Sequence, residues 1–212
     1  EKPKTLVVGL GNINVTPDSL GPYTLDNIIV TRHLFSNNII NEGYSDVCGY
    51  SPGVMGTTGI ETCDIVKAIF DKVKADFIIV VDALASLDTN RVNKTIQITD
   101  TGISPGSGVG NKRKEISKKT MNVPVIAIGV PTVVDAITLS NDILDKVLEE
   151  LERKLKDKSQ TLGILSTISF DERKSLITEV IGNTGYNLMV TPKEIDEVIE
   201  DLGKIIASSI DI

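Results

Sequence analysis

The chain has no tryptophan, one histidine and two cysteines among 212 residues. Each scarcity excludes a class of chemistry. Ser-His-Asp and Cys-His catalysis and histidine-rich metal sites all need imidazoles. The single histidine, His33, follows Thr31-Arg32 at the end of a helical pattern and reads as structural or exposed. Cys48 and Cys63 are too few for a disulfide framework and lack metal-ligand spacing, so a reducing cytoplasm is the expected compartment. No run of about 18 apolar residues is present, so neither a membrane helix nor a signal peptide is expected. Aromatics make up 4% of the chain, which leaves Ile, Val and Leu to form the core. That composition suits a parallel sheet covered on both faces. Basic residues are in deficit, 22 Lys and Arg against 29 Asp and Glu, for a net charge of −7. Nucleic-acid affinity comes mostly from cationic side chains that neutralise phosphates, so no direct nucleic-acid partner is expected. The one basic run, Lys112-Arg113-Lys114 with Lys118-Lys119, reads as a solvated loop face.

Strongly apolar strands that end in glycine or a lone acid stand out. Thr5 to Leu10 is a β-branched run broken by Gly9, Gly11 and Asn12. Thr16-Pro17-Asp18 then gives the signals of a helix start, and apolar spacing predicts a helix from there to about Phe35. Tyr44 to Tyr50 reads as a short strand, and Ser51 to Gly56 as a glycine-rich loop over the strand ends. Thr57 to Lys74 reads as one amphipathic helix with Ile60, Ile65, Ile69 and Val73 on its apolar face. Asp76 to Ala83 is a second apolar strand, and it too ends in a lone acid, Asp82. Arg91 to Thr99 alternates like an edge strand. Thr101 to Asn111 holds four glycines, and Val123 to Val130 is a third buried strand. Pro131-Thr132 is expected to open a long helix, 157–160 to form a linker, and Asp171 to Ile181 a helix. Asn187 to Val190 reads as a short extended piece, and Thr191-Pro192 as the start of a last helix running to about Ile206.

Strands alternating with long helices predict an α/β fold, three-layered, with a mostly parallel sheet flanked by helices. The chain is read as a single domain over 1–212. It opens on Glu1 rather than Met, so a fragment or a processed form is expected. In such folds ligands sit at the carboxyl ends of strands, where the strand order switches direction. Asp18 and Asp82 both follow strand carboxyl ends and are expected side by side.

Several chemistries compete for these residues. The Gly9-Leu10-Gly11-Asn12 turn lacks the third glycine of a dinucleotide fingerprint, and Asp18 would repel a pyrophosphate. The glycine-rich segment after Thr101 is not a phosphate loop. It reads as a flexible loop, with a sharper reading as a flap or a loop of anion-binding backbone N–H groups. Each acid also has a bland reading: Asp18 as a residue compensating a helix dipole, Asp82 as a cap for the following turn. Two carboxyls at close range cannot both ionise cheaply, so one keeps its proton while the other stays anionic. Such a pair can activate water and protonate a leaving amine without histidine, cysteine or metal. No cofactor and no required metal is expected. Asp100 and Asp135 read as turn and helix-end residues.

The long colinear motifs VVGLGN, VTPDSLGP, TRHLF, PGVMG, VDALA, PGSGVGNKRK, VPVIAIGVPTVVDA and NLMVTPKEID resemble the germination proteases of spore-forming bacteria. The resemblance covers nearly the whole chain. It implies an endopeptidase of atypical aspartic type that degrades small acid-soluble, DNA-protecting spore proteins during germination. It implies synthesis as a zymogen, a homotetramer, a cytoplasmic location in the forespore or spore core, and a fold like that of the hydrogenase-maturation peptidases. The family's catalytic acids match Asp18 in VTPDSLGP and Asp82 in VDALA. The resemblance places the family's N-terminal region, propeptide included, upstream of Glu1, and makes the 157–160 segment short for the family. Two alternatives accompany this reading: a metal-dependent peptidase of hydrogenase-maturation type using the same acids, and a non-catalytic fragment that binds spore proteins.

Overall fold

The computed structural model describes residues 3–37, 39, 43–107, 113–154, 168–182 and 188–211. The expected linker at 157–160, and Gly108 and Gly110 of the glycine-rich segment, lie outside the described residues. Six strands form one mixed sheet: β1 (Lys4–Gly9), β2 (Asp46–Tyr50), β3 (Phe77–Ser86), β4 (Gln97–Thr99), β5 (Val125–Asp135) and β6 (Met189–Val190). The order is β2-β1-β3-β5-β4, with β6 also on β5. The first four strands of that order run parallel, while β4 and β6 are antiparallel to β5. From β1 the sheet grows outward to β2 on one side and to β3 and β5 on the other. The switch in strand order therefore lies between the carboxyl ends of β1 and β3.

The period-two alternation of the central strands divides the core in two. Leu6 and Val8 of β1 and Ile78 and Val80 of β3 face α4 (Thr62–Val73), where Cys63, Val66 and Phe70 meet them. Ile116 and Met121, the latter from the short α5 (Lys118–Met121), complete that side. Val7 and Val81 face the opposite way. They pack with α1 (Leu20–Asp26) and with α8 (Ile195–Ile210) through Leu20, Ile199, Ile206 and Ala207. This is the three-layered α/β arrangement expected from composition and periodicity. The remaining helices among the described residues are α2 (Arg32–Ser36), α3 (Met55–Thr58), α6 (Ala136–Lys154) and α7 (Phe170–Gly182).

Several element boundaries differ from expectation, each for a local reason. The helix expected from Thr16 to Phe35 is a 3-10 turn (Thr16–Asp18), then α1, then α2. The β-branched run Ile28-Ile29-Val30-Thr31 is a weak helix former. Thr31 instead binds β2, accepting from the Val47 N–H at 2.9 Å and donating to the Ser45 carbonyl. The helix expected from Thr57 to Lys74 breaks at Gly59, whose φ of 71° ends α3, so Ile60 is left exposed. The strand expected to end at Val130 runs on to Asp135, and α6 begins only at Ala136. Asp135 is the true start signal there: its carboxylate accepts from the Thr138 N–H at 2.8 Å. Likewise Thr191 does not cap the last helix but bonds the Thr132 carbonyl, and α8 starts at Ile195.

Candidate active site

Backbone bonds bring the ends of β1 and β3 together. The Leu10 N–H donates to the Val81 carbonyl at 2.8 Å, one residue before Asp82. Beyond Leu10 the chain turns through Gly11, at φ 112°, where a side chain would overlap the Asp18 carbonyl oxygen. Only glycine permits both that conformation and that approach. The Asn12 N–H then donates to the Asp18 backbone oxygen at 3.0 Å and to the Asp18 carboxylate Oδ2 at 2.9 Å. Asp18 is thus held on a 3-10 turn over the sheet, not in the first turn of a long helix. The helix-dipole reading of this residue does not describe its position.

Asp82 lies within β3, opposite Gly129 of β5. It is 6% exposed, an unusual degree of burial for a carboxyl with no cationic partner among the described residues. Burial, and secondly the charge of Asp18, push its pKa from 3.8 up to about 8, against a small opposing effect from the Ala83 N–H. Asp18 is half-buried. Burial raises its pKa as well, while the Asn12 N–H holds it down by stabilising the anion. At neutral pH Asp82 therefore keeps its proton and Asp18 bears the charge.

Both acids line one cavity of about 730 Å³. Its floor is the carboxyl ends of β1, β3 and β5. Val54 and Met55, from the segment expected as a loop over the strand ends, form one wall. Residues Ser104 to Ser107 of the glycine-rich segment form another. Among the described residues, no three His, Cys, Asp or Glu side chains gather as a metal-ligand set. His33, on α2, is exposed and does not line the cavity.

A profile of the germination proteases matches residues 1–162 and 156–212. The chain belongs to the germination protease family. It is 50% identical to the germination protease of Oceanobacillus iheyensis, over 97% of this chain and 65% of that protein. It is 48% identical to the germination protease of Bacillus subtilis, over 97% of this chain and 64% of that protein. The chain thus spans about 64% of the length of the curated relatives it matches. Among solved structures it is similar to the [NiFe] hydrogenase maturation protease HycI of Thermococcus kodakarensis. That likeness has a TM-score of 0.42 at 14% identity, over 98% of this chain and 92% of the other, too loose to carry an argument.

For this family member the structure also brings in residues that the motifs did not single out as site residues. Arg113 belongs to the basic run expected on a solvated face. Instead it lines the cavity, with its guanidinium 3.9 Å from Glu61. Lys114 of the same run does stay at the surface, paired with Asp64 at 2.8 Å. Arg91 lines the cavity from the end of a 3-10 turn (Thr89–Arg91) in the segment expected to be an edge strand; only Gln97–Thr99 of that segment is β. Nothing in the local pattern marks Arg91. Thr132, also on the cavity, carried a signal that pointed to a helix start.

Proposed function

We propose that this chain carries the catalytic centre of a germination protease, an endopeptidase that cleaves small acid-soluble spore proteins in the cytoplasm of the spore, with Asp18 and Asp82 as its catalytic pair. The observation that carries the reading is that the buried Asp82 and Asp18 line one cavity, where burial and the Asp18 charge favour the protonated form of Asp82. The two differ in environment, and that difference assigns their roles.

Asp18, ionised and braced by the Asn12 N–H, is the general base. It takes a proton from a water molecule as the water oxygen forms a bond to the scissile carbonyl carbon. Asp82 gives its proton to the carbonyl oxygen, so no free oxyanion builds up in a buried site. The result is a neutral gem-diol. Asp18 then passes its proton to the amide nitrogen as the C–N bond breaks. One diol hydroxyl returns its proton to Asp82 while the new carboxyl carbonyl forms. Both acids end as they began, and one water has been added across one peptide bond.

The acidic surface fits a partner that is protein rather than DNA: the substrate would be captured after its release from nucleic acid. In this reading the enzyme matures from a zymogen and works as a homotetramer, which sedimentation of the full-length protein tests. The decisive experiment replaces each acid by its amide. Asp18→Asn and Asp82→Asn should each lower kcat on a purified spore protein by about 10²–10⁴-fold or more, with the fold intact by circular dichroism. Wild-type turnover in either variant refutes the pair. Activity lost to a chelator and restored by a metal ion would move the same acids to metal-dependent hydrolysis. Binding of spore protein without turnover, in the full-length chain, would leave only a binding role.

A further inference from the structure

β5 carries one residue more than β3 where the two strands pass the site. Leu84 pairs with Pro131 and Ala85 with Val133, leaving Thr132 as the extra residue of a β-bulge. A bulge bends the strand and re-aims the side chain it carries. Thr132 is buried, and its hydroxyl donates to the Pro17 carbonyl at 2.6 Å, across a sequence separation of 115 residues. Pro17 is the residue before Asp18. The Thr132 carbonyl in turn accepts from the Thr191 hydroxyl at 2.8 Å. The turn's bonds to Asn12, Val15 and Thr16 stay within its own loop. The Thr132 bond reaches across to the sheet.

We propose that Thr132 is a positioning residue: its hydroxyl, aimed by the bulge and braced by Thr191, pins the Thr16–Asp18 turn to β5 and so fixes the Asp18 carboxylate relative to Asp82. The inference rests on the reading of Asp18 and Asp82 as the catalytic pair. Without this bond, the turn keeps its local shape and its packing against β3 and α8, but loses its hydrogen bond to the sheet and can shift over the strand ends. A displacement of about 1 Å at a catalytic group can cost on the order of 10²-fold in rate.

The test compares full-length wild type with Thr132→Val, Thr132→Ser and Asp18→Asn. Valine keeps the β-branched shape that a strand favours and removes only the donor. The Asp82 carboxyl is titrated by carbon NMR in each protein. Arg91 and Arg113, the other charged groups among the described residues on the cavity, are the same in all four and cancel in the comparison. Asp18→Asn should move the Asp82 midpoint down from about 8, because it removes a neighbouring negative charge. Thr132→Val should move it part of the way, as the Asp18 charge moves off. Thr132→Ser should titrate as wild type. On spore protein, Thr132→Val should lose roughly 10–100-fold in kcat with KM within about twofold, and serine should restore it. An Asp82 titration in Thr132→Val identical to wild type, with Asp18→Asn shifted, overturns the positioning role. An unshifted Asp18→Asn overturns the pair itself. If Thr132→Val does not fold, Thr191→Val removes the brace alone; it should shift Asp82 in the same direction by less, and no shift overturns the proposal.

Discussion

Replacing Asp82 by asparagine should make the protein more stable while removing its activity. The side chain is buried, and its pKa rises from 3.8 in an open chain to about 8 in the fold. Below pH 4 the carboxyl is protonated in both states and contributes no pH dependence. Between pH 4 and about 8 the unfolded chain releases the proton and the folded chain keeps it. The unfolded state then binds fewer protons, so stability falls as pH rises through this window. Above about 8 both states are ionised, and the loss is complete. One pKa unit corresponds to ~1.36 kcal/mol, and roughly three units separate the open-chain value from pH 7, which sets a ceiling of ~4 kcal/mol at neutrality. Asparagine has nearly the same shape, accepts the same Ala83 N–H bond and cannot ionise. Asp82→Asn should therefore gain about 2–4 kcal/mol over wild type at pH 7, with little difference at pH 4. Urea unfolding of both proteins at each pH from 4 to 9 measures this directly. The other carboxylates are common to both, so their difference isolates Asp82. Curves that stay parallel across this range would refute the burial argument and the assignment of Asp82 as the resident acid. Under the proposed roles, such a gain in stability is expected, because function requires an ionisable group to be buried.

The same protonation states shape the pH dependence of cleavage. kcat/KM should rise as Asp18 ionises, with a midpoint above the usual aspartate value, and fall as Asp82 loses its proton near pH 8; a profile flat from pH 6 to 10 would contradict the base and acid roles. Gly11→Ala should lose at least ~2 kcal/mol of stability and most activity, since the left-handed backbone is strained for alanine and its methyl meets the Asp18 carbonyl. Thermal melts alongside a cleavage assay check both, and a folded, fully active Gly11→Ala protein would show that the turn holding Asp18 tolerates displacement.

The layered α/β fold was legible because it depends on patterns that survive in one dimension. Apolar runs at Thr5 to Leu10, Asp76 to Ala83 and Val123 to Val130 could form only buried strands, and the amphipathic stretches between them had to cover a sheet. The same logic brings Asp18 and Asp82 to one cavity, since the chain converges where the strand order reverses; it misplaces the end of β3, which runs on past Asp82 to Ser86 because β5 continues beside it to Val134. Helix limits were less legible. Thr16-Pro17, Pro131-Thr132 and Thr191-Pro192 each give the local signal of a helix start, and in none does a long helix begin at the threonine. In all three the hydroxyl or backbone is taken by a partner distant in sequence or by a tight turn, and propensity is too weak to compete with such bonds.

The sequence by itself determined the layers of the fold and the family, and pointed to the two acids, Asp18 and Asp82, that share the cavity. These depend on periodicity, on side-chain type and on a long run of colinear motifs. The tertiary structure alone decided that Arg91 and Arg113 enter the cavity, that Asp82 rather than Asp18 keeps the proton, and that Thr132 binds the turn of Asp18. Burial and electrostatic energy depend on which groups meet in space, and a hydrogen bond between Thr132 and Pro17, 115 residues apart, leaves no periodic trace in the chain that forms it.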